Sequence, residues 1–431
     1  MPQVTRAAPY AEPVWSSRGY SAYYNDSHLR LRRELRNYVE KEIIPYAAEW
    51  EQAGSVPGET VQNFCSSGLM AASIYPSPSE YLGSIRLPGG VEPKQWDGFH
   101  DLICIDEIAR CGYLGVIWAL SCGNVIGLPP VIIHGSAEQK RRFIPDVLHG
   151  KTRFCLGVTE PDAGSDVAGI TTTAVREGNV YKVNGTKKWI TNGIWADYST
   201  MAVRTGGPGA KGLSVLVVPL KAKGVTLKKI PNSGVHASGS TFIELDDVEV
   251  PVENLLGREG QGFEIITSNF NHERLWLACT ALRLARISVE DAFTHANSRE
   301  TFGKKLIENQ VIRSKLSAAG RKIESAHALL EQYVYIVDSA HQRRAPPPPA
   351  IGGLAATCKV LAGQVLEHAN REAQQILGGL GYSKNGRGAR IEQISRDLRV
   401  MIVGGGSEEI LADFAIKEEA KLFAAKDRSK L

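Results

Sequence analysis

Several common signals are missing from this chain. Cysteine is sparse, with seven in 431 residues, at positions 65, 104, 111, 122, 155, 279 and 358, and no CxxC pair among them. That spacing implies neither a disulfide framework nor a zinc site, and the residues read as reduced thiols. The ten histidines contain no HExxH pair, so no metal site is expected. An excess of one charge is also lacking: 50 Lys and Arg face 46 Asp and Glu, a net charge of +4. Spread over this length, that gives no stripe able to neutralise a row of phosphates, and nucleic acid is not an expected partner. No run approaches the roughly 20 apolar residues of a bilayer span, so no membrane span is expected. The segment 1–24 has no apolar signal core; Arg6 and Arg18 against Glu12 give only the outline of a mitochondrial presequence. Hydrophobic residues at 43% and charged residues at 22% are ordinary globular composition, with material for a sizeable core.

What the sequence does have is a division by periodicity. Over 26–153 the spacing is helical: Leu29, Leu31, Leu35, Tyr38, Val39 and Ile43 recur at three and four, and Leu102 to Ala109 repeats the pattern. A Pro/Gly/Ser-rich connection between Ile74 and Trp96 interrupts this region. Over 154–260 the runs are short and β-branched, at Val180–Val183, Ser199–Arg204, Leu213–Val218, Val225–Lys228 and Thr241–Val250. Over 261–425 long helical patterns return at Ile265–Ala296, Gln310–Ser339 and Ile351–Leu377, with the loop Pro346–Pro349 between the last two. An extension, 1–25, and a tail, 426–431, flank these regions.

The fold class is α+β, and the α–β–α order lacks the alternation of a βαβ nucleotide-binding sheet. Gly207–Gly212 matches G-x-G-x-x-G by letter, but a strand pattern follows it where the fingerprint needs a helix, so it reads as a hairpin loop. The chain ends Ser429-Lys430-Leu431, the tripeptide read by the peroxisomal import receptor, which makes a peroxisomal location the expectation over a mitochondrial one.

Two segments carry chemistry. In Phe154–Asp166, small and hydroxylated residues follow an apolar strand and offer N–H groups and hydroxyls to a planar polar ligand. In Lys188–Gly193, Trp189 and Thr191 stand two apart, which on a strand puts an aromatic plane and a hydroxyl on one face. Taken singly, the first contains a turn and Trp189 is as readily a core residue. Together with Arg299-Glu-Thr-Phe-Gly303, Gln310, Gln375–Tyr382, Arg396-Asp397 and Gly404–Ser407, in this order, they resemble the acyl-CoA dehydrogenase family over roughly residues 26 to 425.

The resemblance implies an N-terminal α-helical domain, a middle β-barrel-like domain and a C-terminal four-helix bundle, with FAD as cofactor and an acyl-CoA as substrate. It also assigns residues. Leu156, Val158 and Thr159 contact the flavin ring, Trp189 and Ile190 lie beside it, and Thr191 sits near N5. Ser165 meets the cofactor and the CoA arm. Arg299, Thr301, Phe302, Gln310, Gln375, Gly378 and Gly379 reach the FAD of a neighbouring subunit, which implies a homo-oligomer, most often a tetramer. Ser407 and Glu409 belong to the same cofactor set. Electron-transfer flavoprotein is the family's usual acceptor, whereas a peroxisomal address argues for oxygen.

Desaturation of a thioester needs one carboxylate to remove the α-proton. In most members of the family it stands at the position equivalent to Gly405, and glycine cannot do this. Glu273, in Asn269–Ala278, resembles the Glu-Arg-Leu segment of isovaleryl-CoA and long-chain acyl-CoA dehydrogenases, which carry their base on this helix. The resemblance therefore makes Glu273 the base, with the Gly405 N–H still available to polarise the thioester carbonyl. Asn271, His272 and Arg274 are candidates for contact with the CoA arm or substrate. Glu408 and Glu409 are rival bases, but acids in a first helical turn commonly answer the helix dipole. A nitroalkane oxidase of the same fold would keep the carboxylate at 405, and a silent FAD- or CoA-binding scaffold would have no need of Glu273.

Overall fold

The computed structural model describes residues 7–19, 21–346 and 348–428. Arg6, Pro347 and the tripeptide Ser429-Lys430-Leu431 lie outside the described residues. The chain forms two compact units, one of Met1–Ile44, Asp97–Tyr113 and Asn271–Leu431, the other of Pro45–Trp96 and Leu114–Phe270.

The first unit is helical. Its main elements are Asp26–Tyr38, Gly98–Ile108, the part of Gly262–Ser298 from Asn271 onward, Gln310–Gln342, Ile351–Leu377, Ala389–Val403 and Glu408–Arg428. Ile351–Leu377 packs against Gln310–Gln342, Ala389–Val403 and Glu408–Arg428. Two helix starts are tied together by their caps. Asn25 and Asp97 each close a capping box with a histidine three residues on, His28 and His100. Asp97 Oδ1 also lies 3.0 Å from His28 Nε2 and 2.8 Å from His100 Nδ1. These three residues have the spacing of a metal triad. Their ring nitrogens already serve the caps: His28 Nδ1 accepts from the Asn25 N–H at 3.0 Å, and His100 Nε2 meets Ser27 Oγ at 3.0 Å.

Within the segment read from sequence as an extension, residues 10–12 are anchored in the helical unit. Glu12 is buried and faces four guanidinium groups, with Arg32 at 2.6 Å, Arg110 at 2.8 Å, Arg36 at 3.0 Å and Arg283 at 3.5 Å. Burial alone would raise its proton affinity, but Arg283, Arg36, Arg110 and Arg32 together hold the carboxyl far below the ordinary range. Arg283 and Arg286 are completely buried and donate to the Ala11 and Tyr10 carbonyls, each at 2.9 Å. A Cβ at Gly320 would run into the Tyr10 ring, so that glycine makes room for the segment.

The second unit is built on an eight-stranded sheet of order β6-β7-β3-β2-β4-β5-β8, with β1 paired to β4. The strands are β1 Phe154–Gly157, β2 Thr173–Glu177, β3 Val180–Ile190, β4 Tyr198–Arg204, β5 Leu213–Pro219, β6 Val225–Lys229, β7 Thr241–Pro251 and β8 Leu255–Leu256. β6 and β8 end the order, so among the described residues the ladder does not close into a ring. The apolar core is shared across the sheet: Cys155, Tyr181, Val183, Met201, Val218 and Ile243, from five different strands, belong to one cluster. Gly207–Gly212 is the loop between the antiparallel β4 and β5, as its context predicts.

Contrary to the expectation from sequence, Leu114–His134 is a 21-residue stretch long and apolar enough to cross a membrane, although Ser121, Asn124 and Pro129–Pro130 interrupt its apolar run. Within the fold, 83% of its most apolar window is buried, as befits a core segment. All seven cysteines are free and buried.

The Glu12 cluster generates a stability prediction. Removing one partner of a buried ion pair costs about 3–5 kcal/mol, so Glu12→Gln should lower the unfolding midpoint substantially at neutral pH. Because the folded carboxyl has a depressed pKa, its contribution is complete above its ordinary value of 4.5 and fades as the pH falls below it. The difference between wild type and variant should therefore shrink in acid. Denaturant unfolding at both pH values measures this, and equal midpoints at neutral pH would contradict it.

Candidate active site

In the helical unit, Glu273 lies on the helix Gly262–Ser298 and is partly exposed as a residue, yet its Oε2 is cut off from solvent and has no hydrogen-bond partner among the described residues. An orphaned carboxylate oxygen is costly to bury and uncommon. Burial raises the proton affinity of Glu273, and the charges of Arg274, Lys359 and His272 pull it back, leaving the carboxyl at about 7. A carboxylate so balanced accepts a proton readily near neutrality.

The helix Ala389–Val403 ends at Gly404, and the loop that follows holds Gly405 at φ +66° and Gly406 at φ +106°, conformations that favour glycine. A Cβ built on Gly405 would lie 3.7 Å from Glu273 Oε1 and 2.6 Å from Leu277 Cδ1. The carboxylate from the long helix thus sits beside the place a side chain at 405 would start from. Arg274 Nε donates to the Gly405 carbonyl at 3.3 Å, and its guanidinium stands 5.6 Å from the Phe414 ring centre. Among the described residues, the Gly405 N–H donates to no protein acceptor. An acid with an unmatched oxygen and a free N–H therefore share one corner. Asn271 is half-buried, and His272 Nε2 meets the buried Asp101 Oδ2 at 2.8 Å. Of the rival bases, Glu409 is exposed and Glu408 accepts from Gln364 at 2.7 Å; Ser407 is half-buried.

Elsewhere in this unit, Arg299–Leu306 forms a small hairpin in which Phe302 is 100% exposed at φ +53°. Thr301 is half-buried, while Arg299, Gln310, Gln375, Gly378 and Gly379 are exposed. Arg387, in the segment after the helix Ile351–Leu377, donates to Ser298 Oγ at 3.3 Å, which brings that segment to the residue preceding Arg299. A wholly exposed phenylalanine with a left-handed backbone is unexplained by the packing of a single chain.

In the sheet unit, the two segments singled out from sequence are hydrogen-bonded neighbours. The Lys188 N–H donates to the Thr159 carbonyl at 2.8 Å, and Lys187 Nζ donates to the Val158 carbonyl at 3.1 Å and to Glu160 Oε1 at 2.7 Å. Glu160 also accepts from the Thr171 and Thr172 N–H groups at 2.7 and 2.9 Å. Burial would raise the Glu160 carboxyl, but Lys187 and these donors bring it to about 2; burial takes the Lys187 ammonium down to about 8. Leu156 and Val158 are buried, Thr159 is half-buried and Ser165 is exposed.

Trp189 and Thr191 do not share a strand face, contrary to the expectation from their spacing. Pairing of β3 with β7 shifts between Lys187 and Ile190, and Trp189 sits in that irregularity at φ +64°. Alternation from the buried Lys187 would turn Trp189 inward; the bulge instead buries Ile190 and leaves Trp189 54% exposed. Thr191 lies beyond the strand, in a turn held by Asn192, which accepts from the Gly123 N–H at 2.8 Å and donates to the Ser238 carbonyl at 2.8 Å. A bulky residue held at positive φ with its ring exposed is a strained feature of the kind that marks binding sites. Sequence reading missed the Lys187–Glu160 lock, Asn192 and Lys359, because a buried polar residue shows its partner only in three dimensions.

These features match known proteins over most of the chain. Residues 25–151, 155–248 and 260–418 match the N-terminal, middle and C-terminal domain models of acyl-CoA dehydrogenases. The acyl-CoA dehydrogenase AFT10-1 of Alternaria alternata is 49% identical over 414 residues, covering 96% of each chain. The acyl-CoA dehydrogenase apdG of Emericella nidulans is 44% identical over 428 residues, covering 98% of this chain and 97% of its own. Among solved structures, a probable acyl CoA dehydrogenase of Mycobacterium abscessus has a TM-score of 0.82 at 34% identity, over 92% of this chain and 99% of its own. With the sequence, the fold and these matches in agreement, the chain belongs to the acyl-CoA dehydrogenase family of FAD-dependent oxidoreductases.

Proposed function

We propose that this protein desaturates an acyl-CoA thioester between its α- and β-carbons, giving the trans-2-enoyl-CoA, with Glu273 as the base. The observation that carries the reading is the 3.7 Å between Glu273 Oε1 and a Cβ built at Gly405, which lets a carboxylate from the long helix serve where position 405 has none. This is the base placement of the isovaleryl-CoA and long-chain type. Glu273 takes the α-proton as the C–H bond breaks, and the electron pair delocalises toward the thioester oxygen, where the Gly405 N–H stabilises the developing charge.

FAD, when bound, supplies the acceptor for the hydride that leaves the β-carbon. The residues present fit that group: the exposed Trp189 ring would offer it a stacking face and Thr159 a polar edge, with Leu156, Val158, Ile190 and Thr191 in the adjoining chain. The exposed Phe302, Arg299, Thr301, Gln310, Gln375, Gly378 and Gly379 would complete the FAD site of a second subunit in a homo-oligomer, in the family's manner a tetramer. Ser407 and Glu409 would join the cofactor contacts, and Ser165, Asn271 and Arg274 would meet the CoA moiety. A proton affinity poised near neutrality speaks against a silent scaffold.

Glu273→Gln should retain FAD yet slow anaerobic bleaching of the flavin by acyl-CoA by about 10²–10⁴-fold. In wild type the bleaching rate should rise with pH through about 7 and level off above it, because only the ionised carboxylate accepts a proton. Stopped-flow absorbance reads both, and fast bleaching by the variant would assign the base elsewhere. The family's usual acceptor is electron-transfer flavoprotein, on which turnover of a dehydrogenase should depend, whereas a peroxisomal location favours oxygen. Steady oxygen uptake with acyl-CoA alone would make the protein an oxidase instead. The peroxisomal address is likewise a proposal: deleting Ser429–Leu431 should abolish peroxisomal import of the full chain in a cell assay, and unchanged import would dismiss it.

A further inference from the structure

Lys359 lies within the helix Ile351–Leu377, is 2% exposed, and stands among buried neighbours such as Ala355, Ala356 and Ala362. An ammonium in such a place is costly unless its donors are satisfied. Its Nζ donates to the carbonyls of Ile402, at 2.6 Å, and Gly406, at 2.8 Å. The first belongs to the last turn of the helix Ala389–Val403, where carbonyls lack intrahelical partners and the dipole is negative. The second belongs to Gly406, which like Gly405 has positive φ. One cation therefore bridges Ile402 and Gly406, on either side of Gly404 and Gly405, which have no side chains with which to anchor the turn.

We propose that Lys359 is the positioning residue of proton removal: it clamps the Gly404–Gly406 loop so that the Gly405 N–H is held beside Glu273, and it sets part of the positive charge facing that carboxylate. The proposal rests on the reading of Glu273 as base. The charged groups in the neighbourhood are Arg274 and His272 on the helix of Glu273, Lys359 on the helix Ile351–Leu377, and Glu408 and Glu409, which act in turn on Lys359. Burial, then Arg274, brings the Lys359 ammonium down to about 8, against about 7 for Glu273, so the cation keeps most of its charge at the midpoint of the Glu273 titration and loses it as the pH rises further. A cation beside a carboxyl lowers its proton affinity, so removing this one moves the Glu273 titration upward.

The test uses full-length holoenzyme with Lys359→Met, Lys359→Gln and Lys359→Arg. Lys359→Met and Lys359→Gln should raise the pH midpoint of flavin bleaching by about one pH unit or more and speed hydrogen exchange of the 402–407 amides; should the methionine variant not fold, the glutamine variant carries the test. Lys359→Arg, which keeps the charge, should return the midpoint toward that of wild type. An infrared pH titration of the carboxyl band that is absent from Glu273→Gln gives the same shift without relying on turnover. A slower reaction with an unmoved midpoint and unmoved carboxyl titration would make Lys359 purely structural and overturn the proposal. Rapid bleaching by Glu273→Gln would instead overturn the assignment of the base.

Discussion

The helical half of this protein turns on a carboxylate taken out of water without full compensation. Among the described residues Glu273 keeps one oxygen without a hydrogen-bond partner, and a buried carboxyl left to itself would be protonated and useless as a base at neutral pH. Arg274, Lys359 and His272 draw it back only part of the way. Neither limit would suit proton removal: full pairing to a guanidinium would make the group too weak a base, and isolation in an apolar pocket would keep it protonated. The intermediate balance needs a neighbour that takes up little space, which Gly405 supplies.

The sheet half answers to a different constraint. Trp189 and Asn192 both have positive φ, and such backbone persists only where the surroundings over-determine it. Here the surroundings are visible. Lys187 and the Lys188 N–H fasten the end of β3 to Val158, Thr159 and Glu160, and Asn192 is held from Gly123 and Ser238. Buried polar groups, fully satisfied, stand in for the regular ladder that the bulge interrupts. The exposed indole is thus a ring held in place by a rigid frame.

Much of this was legible in the sequence, for reasons that can be named. The long helices Gln310–Gln342 and Ile351–Leu377 announce themselves because one apolar face repeats over many turns, and the strands because β-branched runs end at glycines. Glu273 was legible only as half of a pair, the acid gained where another had been lost. The placement of Trp189 and Thr191 was not, since alternation holds only while the register does: a bulge turns Trp189 outward, and the strand ends before Thr191. Lys359, Lys187 and Glu12 were also hidden. A single lysine in a helical pattern looks like a solvated residue, and nothing local to Glu12 indicates that Arg32, Arg36, Arg110 and Arg283 converge on it.

In the proposed mechanism Glu273 removes the α-proton, and proton removal can be separated from oxidation. An acyl-CoA with an α-methylene and a fully substituted β-carbon has no β-hydrogen to lose, so only the first event remains. Incubated with the holoenzyme in deuterated water and followed by proton NMR, its α-position should fill with deuterium in wild type and remain unexchanged in Glu273→Gln. Equal exchange by both would contradict the account.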